Sequence, residues 1–351
     1  MADVKFGMCA PMPGADLEGV INFAVRCDEL GFDSIWFPDH LLFVAKAQCP
    51  EAWTVASLAA DKTRSIALGT VSDPVRMHPA VFAQRLATAD HIAKGRVSLT
   101  LGVGESMNLD PFGIPWDRPL SRLREFVEVM RMLWAGEDPM DYGGEFFSLD
   151  KGYLQIHPFN RDSIPINIAT HTPKGLKTTG EIADGWLPID LNPSLYRTYL
   201  DAIEEGAKGV GRSLEGFEPC LWTFTSLGKD EDEAYKTLEP FKYVLIMQNE
   251  LKNAGYDIDI PPEYAGLNYF NVLPTDEQGR QRLRDLGQLY PREAIIDFTI
   301  TGSKSDCIQK IEKFVESGVR HFVLFYRFSP DPEETLRVYA EEIMPYFKGG
   351  G

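Results

Sequence analysis

Cysteine is scarce in this 351-residue chain: Cys9, Cys27, Cys49, Cys220 and Cys307 are all there are, and no two form a CxxC pair. A sparse, odd set argues for reduced thiols in a cytoplasmic protein and against a zinc site. No apolar run is long enough to span a bilayer. Residues 1–7 lack the basic-then-apolar layout of a signal peptide. Positive charge is in deficit, with 35 Lys and Arg against 52 Asp and Glu and a net charge of -17. Nucleic acid and anionic membrane surfaces are therefore poor partners. A small-molecule substrate is the partner expected. Repeats of 20–50 residues and low-complexity linkers are absent as well, so nothing marks an array or a hinge between domains.

What is present is alternation. Short apolar runs rich in β-branched residues occur at 4–9, 34–37, 65–71, 97–101, 164–169, 183–188, 219–226 and 319–325. Most are followed by a stretch of helical periodicity, such as 16–30, 79–92 and 121–133. Strands that are apolar on both faces and alternate with helices imply a buried parallel sheet. Eight such units predict an α/β fold of the (β/α)8 TIM barrel type, with a doubly wound open sheet as the alternative. Residues 140–156 read as an inserted hairpin and about 231–292 as a mostly helical insertion, within one domain covering 1–351. The G-x-G at Gly102 and Gly104 is not a dinucleotide fingerprint, because Met107 stands at the last glycine position.

A barrel of this type places its chemistry at the C-terminal ends of its strands. The fourth strand ends in Gly102-Val-Gly104, where a flat ligand can approach the backbone. It then presents a carboxylate, Glu105, and an amide, Asn108. The second ends in Pro38-Asp39-His40. A histidine near a carboxylate suits general acid–base work. The third ends in Val71-Ser72-Asp73-Pro74, either a plain Asp-Pro turn or a distorted strand end pressing on a planar ring. The fifth runs Ala169-Thr170-His171-Thr172-Pro173, where Thr172 as N-cap and Pro173 in the first turn leave free N–H groups for an anion. The aromatics Trp36, Phe37, Phe43, Trp222, Phe224 and Tyr326 suggest an apolar or ring-bearing substrate.

At these residues the chain resembles the bacterial luciferase-like superfamily, and within it the branch that uses the deazaflavin coenzyme F420. The resemblance is carried by Ser34-Ile-Trp-Phe-Pro-Asp-His40, Leu68-Gly-Thr-Val-Ser-Asp-Pro74, Leu101-Gly-Val-Gly-Glu105 with Asn108, Phe112-Gly-Ile-Pro-Trp116, the segment 169–173 and Ala183-Asp-Gly185. It implies a luciferase-like barrel acting as a homodimer, with hydride transfer between F420 and a carbonyl, an alcohol or a C1 carrier. It also implies that His40 and Glu105 are catalytic. Asp39, Val71, Ser72, Asp73, Val103, Gly104, Asn108, Ala169, Thr170, His171 and Thr172 are implied as cofactor contacts. An FMN-dependent monooxygenase and a non-catalytic flavin-binding barrel are the alternatives. Relative to the sugar-phosphate dehydrogenases of the branch, Phe43-Val44 replaces a Trp and Asp297 stands about where they carry an Arg. Both changes tell against glucose 6-phosphate.

Overall fold

The computed structural model describes residues 4–12, 14, 16–45 and 47–349. Eleven strands are found among them. They are β1 (Lys5–Cys9), β2 (Ser34–Pro38), β3 (Ala67–Ser72), β4 (Val97–Leu101), β5 (Met140–Gly143), β6 (Ser148–Gly152), β7 (Ile166–Ile168), β8 (Gly185–Trp186), β9 (Glu218–Leu227), β10 (Ile300–Gly302) and β11 (His321–Phe325). Eight of these pair in parallel in the order β1, β2, β3, β4, β7, β8, β9, β11. The ring is completed by β8 on β9 and by β11 on β1. The sheet is thus a closed eight-stranded parallel barrel with alternating helices, and the open-sheet alternative fails on those two pairings. The segment 140–156 does contain an antiparallel hairpin, β5 with β6.

The strands are buried on both faces, which is why their sequences read as continuous apolar runs. Outward-facing residues such as Ile35, Leu68, Leu99 and Ile166 pack with helix residues such as Phe82, Leu86 and Phe126 in the main core. Inside the barrel, Trp36, Leu187, Cys220 and Val323 form a second layer, with Val71 and Trp222 against it. Trp36 fills this space so fully that a Cβ on Gly69 would lie 2.4 Å from its ring.

The floor of the barrel is polar. Lys5 Nζ lies 2.8 Å from Glu218 Oε1, which lies 3.2 Å from His321 Nδ1. His321 Nε2 and Trp36 Nε1 both meet Ser34 Oγ, at 2.7 and 2.9 Å. Burial alone would raise the Glu218 carboxyl, but the His321 hydrogen bond and then Lys5 outweigh it and bring it to about 2.

Past β9 the chain builds short helices at Glu231–Leu238, Gln248–Asn253, Glu277–Gln288 and Arg292–Phe298 before reaching β10. Strand β10 pairs with the C-terminal half of β9, Ile300 opposite Thr225. Tyr269, Val272 and Leu283 from this segment pack on Val44 after β2 and Met107 after β4. It therefore roofs the C-terminal mouth of the barrel. Among the described residues no helix is long and apolar enough to cross a membrane.

Candidate active site

The strand C-termini open into one cavity of about 1690 Å³ under that roof. Strand β2 delivers Asp39 and His40 to it, and β4 runs through Gly102 and Gly104 into the one-turn helix Ser106–Leu109. The turn needs glycine at 104. Its φ is +98°, and a Cβ there would meet Leu109 at 2.7 Å and Trp116 at 2.9 Å. Trp116 Nε1 donates to Val103 O at 2.7 Å and pins the same turn.

That geometry brings His40 and Glu105 together, with Nδ1 3.2 Å from Oε2. Asn108 organises the pair. Its Nδ2 donates to Glu105 Oε2 at 2.7 Å and lies 3.1 Å from His40 Nδ1. Its Oδ1 accepts from the backbone N–H of Leu41 at 2.8 Å and of Leu42 at 2.7 Å. A buried amide holding Glu105 and the Leu41 and Leu42 N–H groups by three hydrogen bonds, and packed against His40 Nδ1, fixes its neighbours rigidly. With Nδ1 held by these partners, Nε2 is the His40 nitrogen left for a ligand. Burial lowers the His40 pKa, but the Glu105 carboxylate, then Asp73 and Asp39, reverse this and leave it raised.

Arg76 joins the remaining carboxylates. Its Nη2 lies 2.5 Å from Asp39 Oδ2 and its Nε 3.9 Å from Asp73 Oδ2. Burial first, and then the Glu105 carboxylate, push Asp73 up to about 7 against the pull of Arg76 and His40. Burial thus favours the protonated form of Asp73 more than in an exposed carboxyl.

On the far wall, Thr172 caps the helix Pro173–Ile182, accepting from Gly175 N at 3.1 Å. His171 Nδ1 lies 3.2 Å from Glu250 Oε1, and Tyr199 donates to Glu250 Oε2 at 2.7 Å.

The cavity is lined by His40, Glu105, Asp39, Val71, Asp73, Val103 and Gly104, and by the run Ala169, Thr170, His171 and Thr172. Two expected cofactor contacts do not line it. Ser72 points into the helix layer, where its Oγ accepts from Trp53 Nε1 at 3.3 Å and meets Thr70 Oγ1 at 2.9 Å. Asn108 is fully buried behind His40 and Glu105. Of the expected aromatics, Phe43, Trp222 and Phe224 line the cavity. Trp36 fills the barrel interior, Phe37 lies in the main core, and Tyr326 stacks on Phe23 at 5.6 Å. Sequence reading missed Arg76 and Glu250. A basic residue two places after the Asp73-Pro74 turn was a signal for Arg76; Glu250 lies in the insertion and had none.

A flat, anionic cofactor fits these residues. At Gly102 an added Cβ would meet nothing closer than Asp73 Oδ1 at 3.5 Å, so the backbone there is accessible from the cavity. The N–H groups of Gly104 and Glu105 and those of His171 and Thr172 find no acceptor among the described residues. The latter pair sits at a helix N-terminus, where a phosphate is stabilised by the helix dipole.

Comparison with known proteins points the same way. A coenzyme F420-dependent tetrahydromethanopterin reductase from Methanopyrus kandleri superposes with a TM-score of 0.82 at 27% identity, covering 99% of this chain and 100% of that one. An F420-dependent secondary alcohol dehydrogenase, in complex with an F420–acetone adduct, gives 0.82 at 26% identity, covering 98% and 99%. An F420-dependent glucose-6-phosphate dehydrogenase of Nakamurella multipartita is 29% identical over 355 residues, 97% of this chain and 96% of the relative. The family model for luciferase-like monooxygenases matches residues 4–321, and the chain belongs to that family.

Proposed function

We propose that this protein is a coenzyme F420-dependent oxidoreductase that moves a hydride between the deazaflavin and a substrate carbon, in a carbonyl/alcohol pair or a C1 carrier. The reading takes the chain as one (β/α)8 TIM-barrel domain with the segment after β9 as an insertion. The observation that carries it is the His40–Glu105 pair, 3.2 Å apart on the mouth of the barrel beside an open glycine turn. The relatives named above, each F420-dependent by name, support the choice of cofactor.

When bound, the deazaflavin supplies a two-electron hydride acceptor or donor. The chain does the rest. In alcohol oxidation His40 Nε2 would take the hydroxyl proton of the substrate, and in ketone reduction it would return a proton to the carbonyl oxygen. Glu105 stabilises the imidazolium that forms, since its carboxylate lies on the Nδ1 side. Asn108 holds the ring of His40 and the Leu41–Leu42 backbone in place. Arg76 neutralises Asp39. Gly102, Asp73 and, with the helix behind it, Thr172 line the cavity and would hold the cofactor, Gly102 beside its ring and Thr172 near its phosphate.

Titration of the purified protein with oxidised F420 and with FMN, followed by absorbance, tests the reading. Saturable binding of F420 with FMN weak or unbound is the expected result. Tight binding of FMN alone would replace it with a flavin monooxygenase, checked by oxygen consumption with reduced FMN.

A further inference from the structure

The order of strands divides the mouth in two. Around the ring, β3 and β4 lie four places from β9 and β11 respectively, so they stand on opposite sides. On the β2-to-β7 half the strand ends deliver Asp39, His40, Asp73, Glu105 and Thr172. The opposite half carries a cluster of four phenylalanines, with Arg327 and Ser329 on the same turn. Phe224 ends an inward run on β9, Phe325 ends β11 directly beside it, and the two rings meet edge to face at 5.3 Å. Phe328 stacks on Phe224 at 5.9 Å and touches Phe325 at 5.0 Å. Phe241, from the turn after Glu231–Leu238, stacks on Phe328 at 4.2 Å with only 16° between planes. All four line the cavity, and Phe241 is 36% exposed.

Charge and size narrow the occupant. The described carboxylates lining the cavity are Asp39, Asp73, Glu105 and Glu250, whereas Lys252 and Arg327 on the same lining are exposed. A second anion beyond the cofactor's own phosphate finds no buried cation waiting among the described residues. A two- or three-carbon alcohol would leave the phenylalanine faces in water.

Building on the oxidoreductase reading, we infer that the substrate is a neutral alcohol or ketone whose apolar, ring-bearing body stacks on Phe224, Phe241, Phe325 and Phe328 with its reacting carbon turned to His40. Aromatic faces recognise such a body by offset and edge contacts, and each ring removed weakens it separately.

The test uses the F420-loaded protein and four probes: 4-phenyl-2-butanol, cyclohexanol, 2-propanol and glucose 6-phosphate. Turnover is expected to favour 4-phenyl-2-butanol over 2-propanol by about 100-fold in kcat/KM, with cyclohexanol between them. Phe328→Ala, and Phe241→Ala at an exposed position where folding is not at stake, are each expected to cut that ratio about tenfold through KM. The F420 Kd, read by fluorescence quenching, stays as in the parent. Calorimetric binding of 4-phenyl-2-butanone gives the same comparison without turnover. A preference for 2-propanol or glucose 6-phosphate, no binding of the ketone, or wall variants that bind it as the parent does, each overturns the inference. Loss of F420 binding with the ketone still held by the wall would overturn the functional reading and leave the wall standing.

Discussion

Arg76 grips Asp39 twice: its Nη2 lies 2.8 Å from the backbone carbonyl of Asp39 and 2.5 Å from the carboxylate Oδ2. The contact ties the turn after β3 to the end of β2, directly beneath His40. Removing the cation leaves two buried carboxylates facing each other. Arg76→Met is expected to destabilise the protein by about 3–5 kcal/mol, the range for breaking one side of a buried ion pair. Arg76→Lys should recover part of that loss. Denaturant unfolding of the three proteins checks the order.

The His40–Glu105 contact has a pH signature. His40 is raised, so its basic form is lost as pH falls through a value above the ordinary 6.5. In alcohol oxidation the acid limb of kcat/KM should therefore lie above pH 6.5. Glu105→Gln removes the strongest attraction acting against burial and should move that limb toward acid, with a lower plateau. His40→Ala should cost about 10²–10⁴-fold in kcat. A limb that stays put in Glu105→Gln would show that His40 is not the titrating group.

Asn108 is a positioning residue, and its loss should separate chemistry from stability. Asn108→Leu strands the N–H groups of Leu41 and Leu42, at about 1–3 kcal/mol for each that stays buried. Asn108→Asp keeps the acceptor for those N–H groups but sets a second carboxylate beside Glu105. The Asp variant should thus retain more stability than the Leu variant while its acid limb moves to higher pH. Thermal melts and pH–rate profiles of the pair decide the point.

Asp190 sits at φ +58° with both carboxylate oxygens buried and unpartnered among the described residues. Burial, and then Glu250, raise it well above its usual 3.8. Such an acid costs stability wherever the unfolded chain ionises and the folded one resists, so the penalty grows as pH rises above 3.8. Asn tolerates the left-handed backbone. Asp190→Asn should stabilise by about 1–3 kcal/mol at pH 7, with the gain shrinking toward pH 4. Urea unfolding at both pH values measures it.

Glu218 on the barrel floor behaves in the opposite sense. Its folded value of about 2 lies below the ordinary 4.5, so its contribution is full above pH 4.5 and fades as pH drops toward 2. Glu218→Gln should lose on the order of 3 kcal/mol at neutral pH and converge on the parent near pH 2. Activity of the surviving folded fraction should change little, because the floor is the far end of the barrel from His40.

Much of this was legible in the sequence because strand ends announce themselves. His40 and Glu105 each follow an apolar run that stops at Pro or Gly, and the barrel rule alone puts them on one mouth. The outward direction of the Ser72 side chain follows from a pattern the sequence also contains. Side chains alternate along a strand, so if Val71 and Asp73 face the cavity, Ser72 faces the helices. Nothing local in the sequence reveals that the Asn108 side chain is engaged by Leu41, Leu42 and Glu105 and packed against His40. Strand β10 has three residues and is defined by its pairing with β9, which no local pattern encodes. Glu250 reaches His171 across 79 residues of chain, a distance at which only the folded roof supplies the connection.

The roof rests on Val44 and Met107 through Tyr269, Val272 and Leu283, a small apolar seam separate from the main core. That seam gives the lineage a way to change diet. One contiguous tract of the gene, from β9 through the turn after β11, supplies the phenylalanine face, whereas residues 39–172 supply the proton-handling groups and the glycine turn. Mutation and selection acting on the first tract can remodel what enters the mouth, so long as the few seam residues keep their shape, and the inherited redox machinery is left as it was.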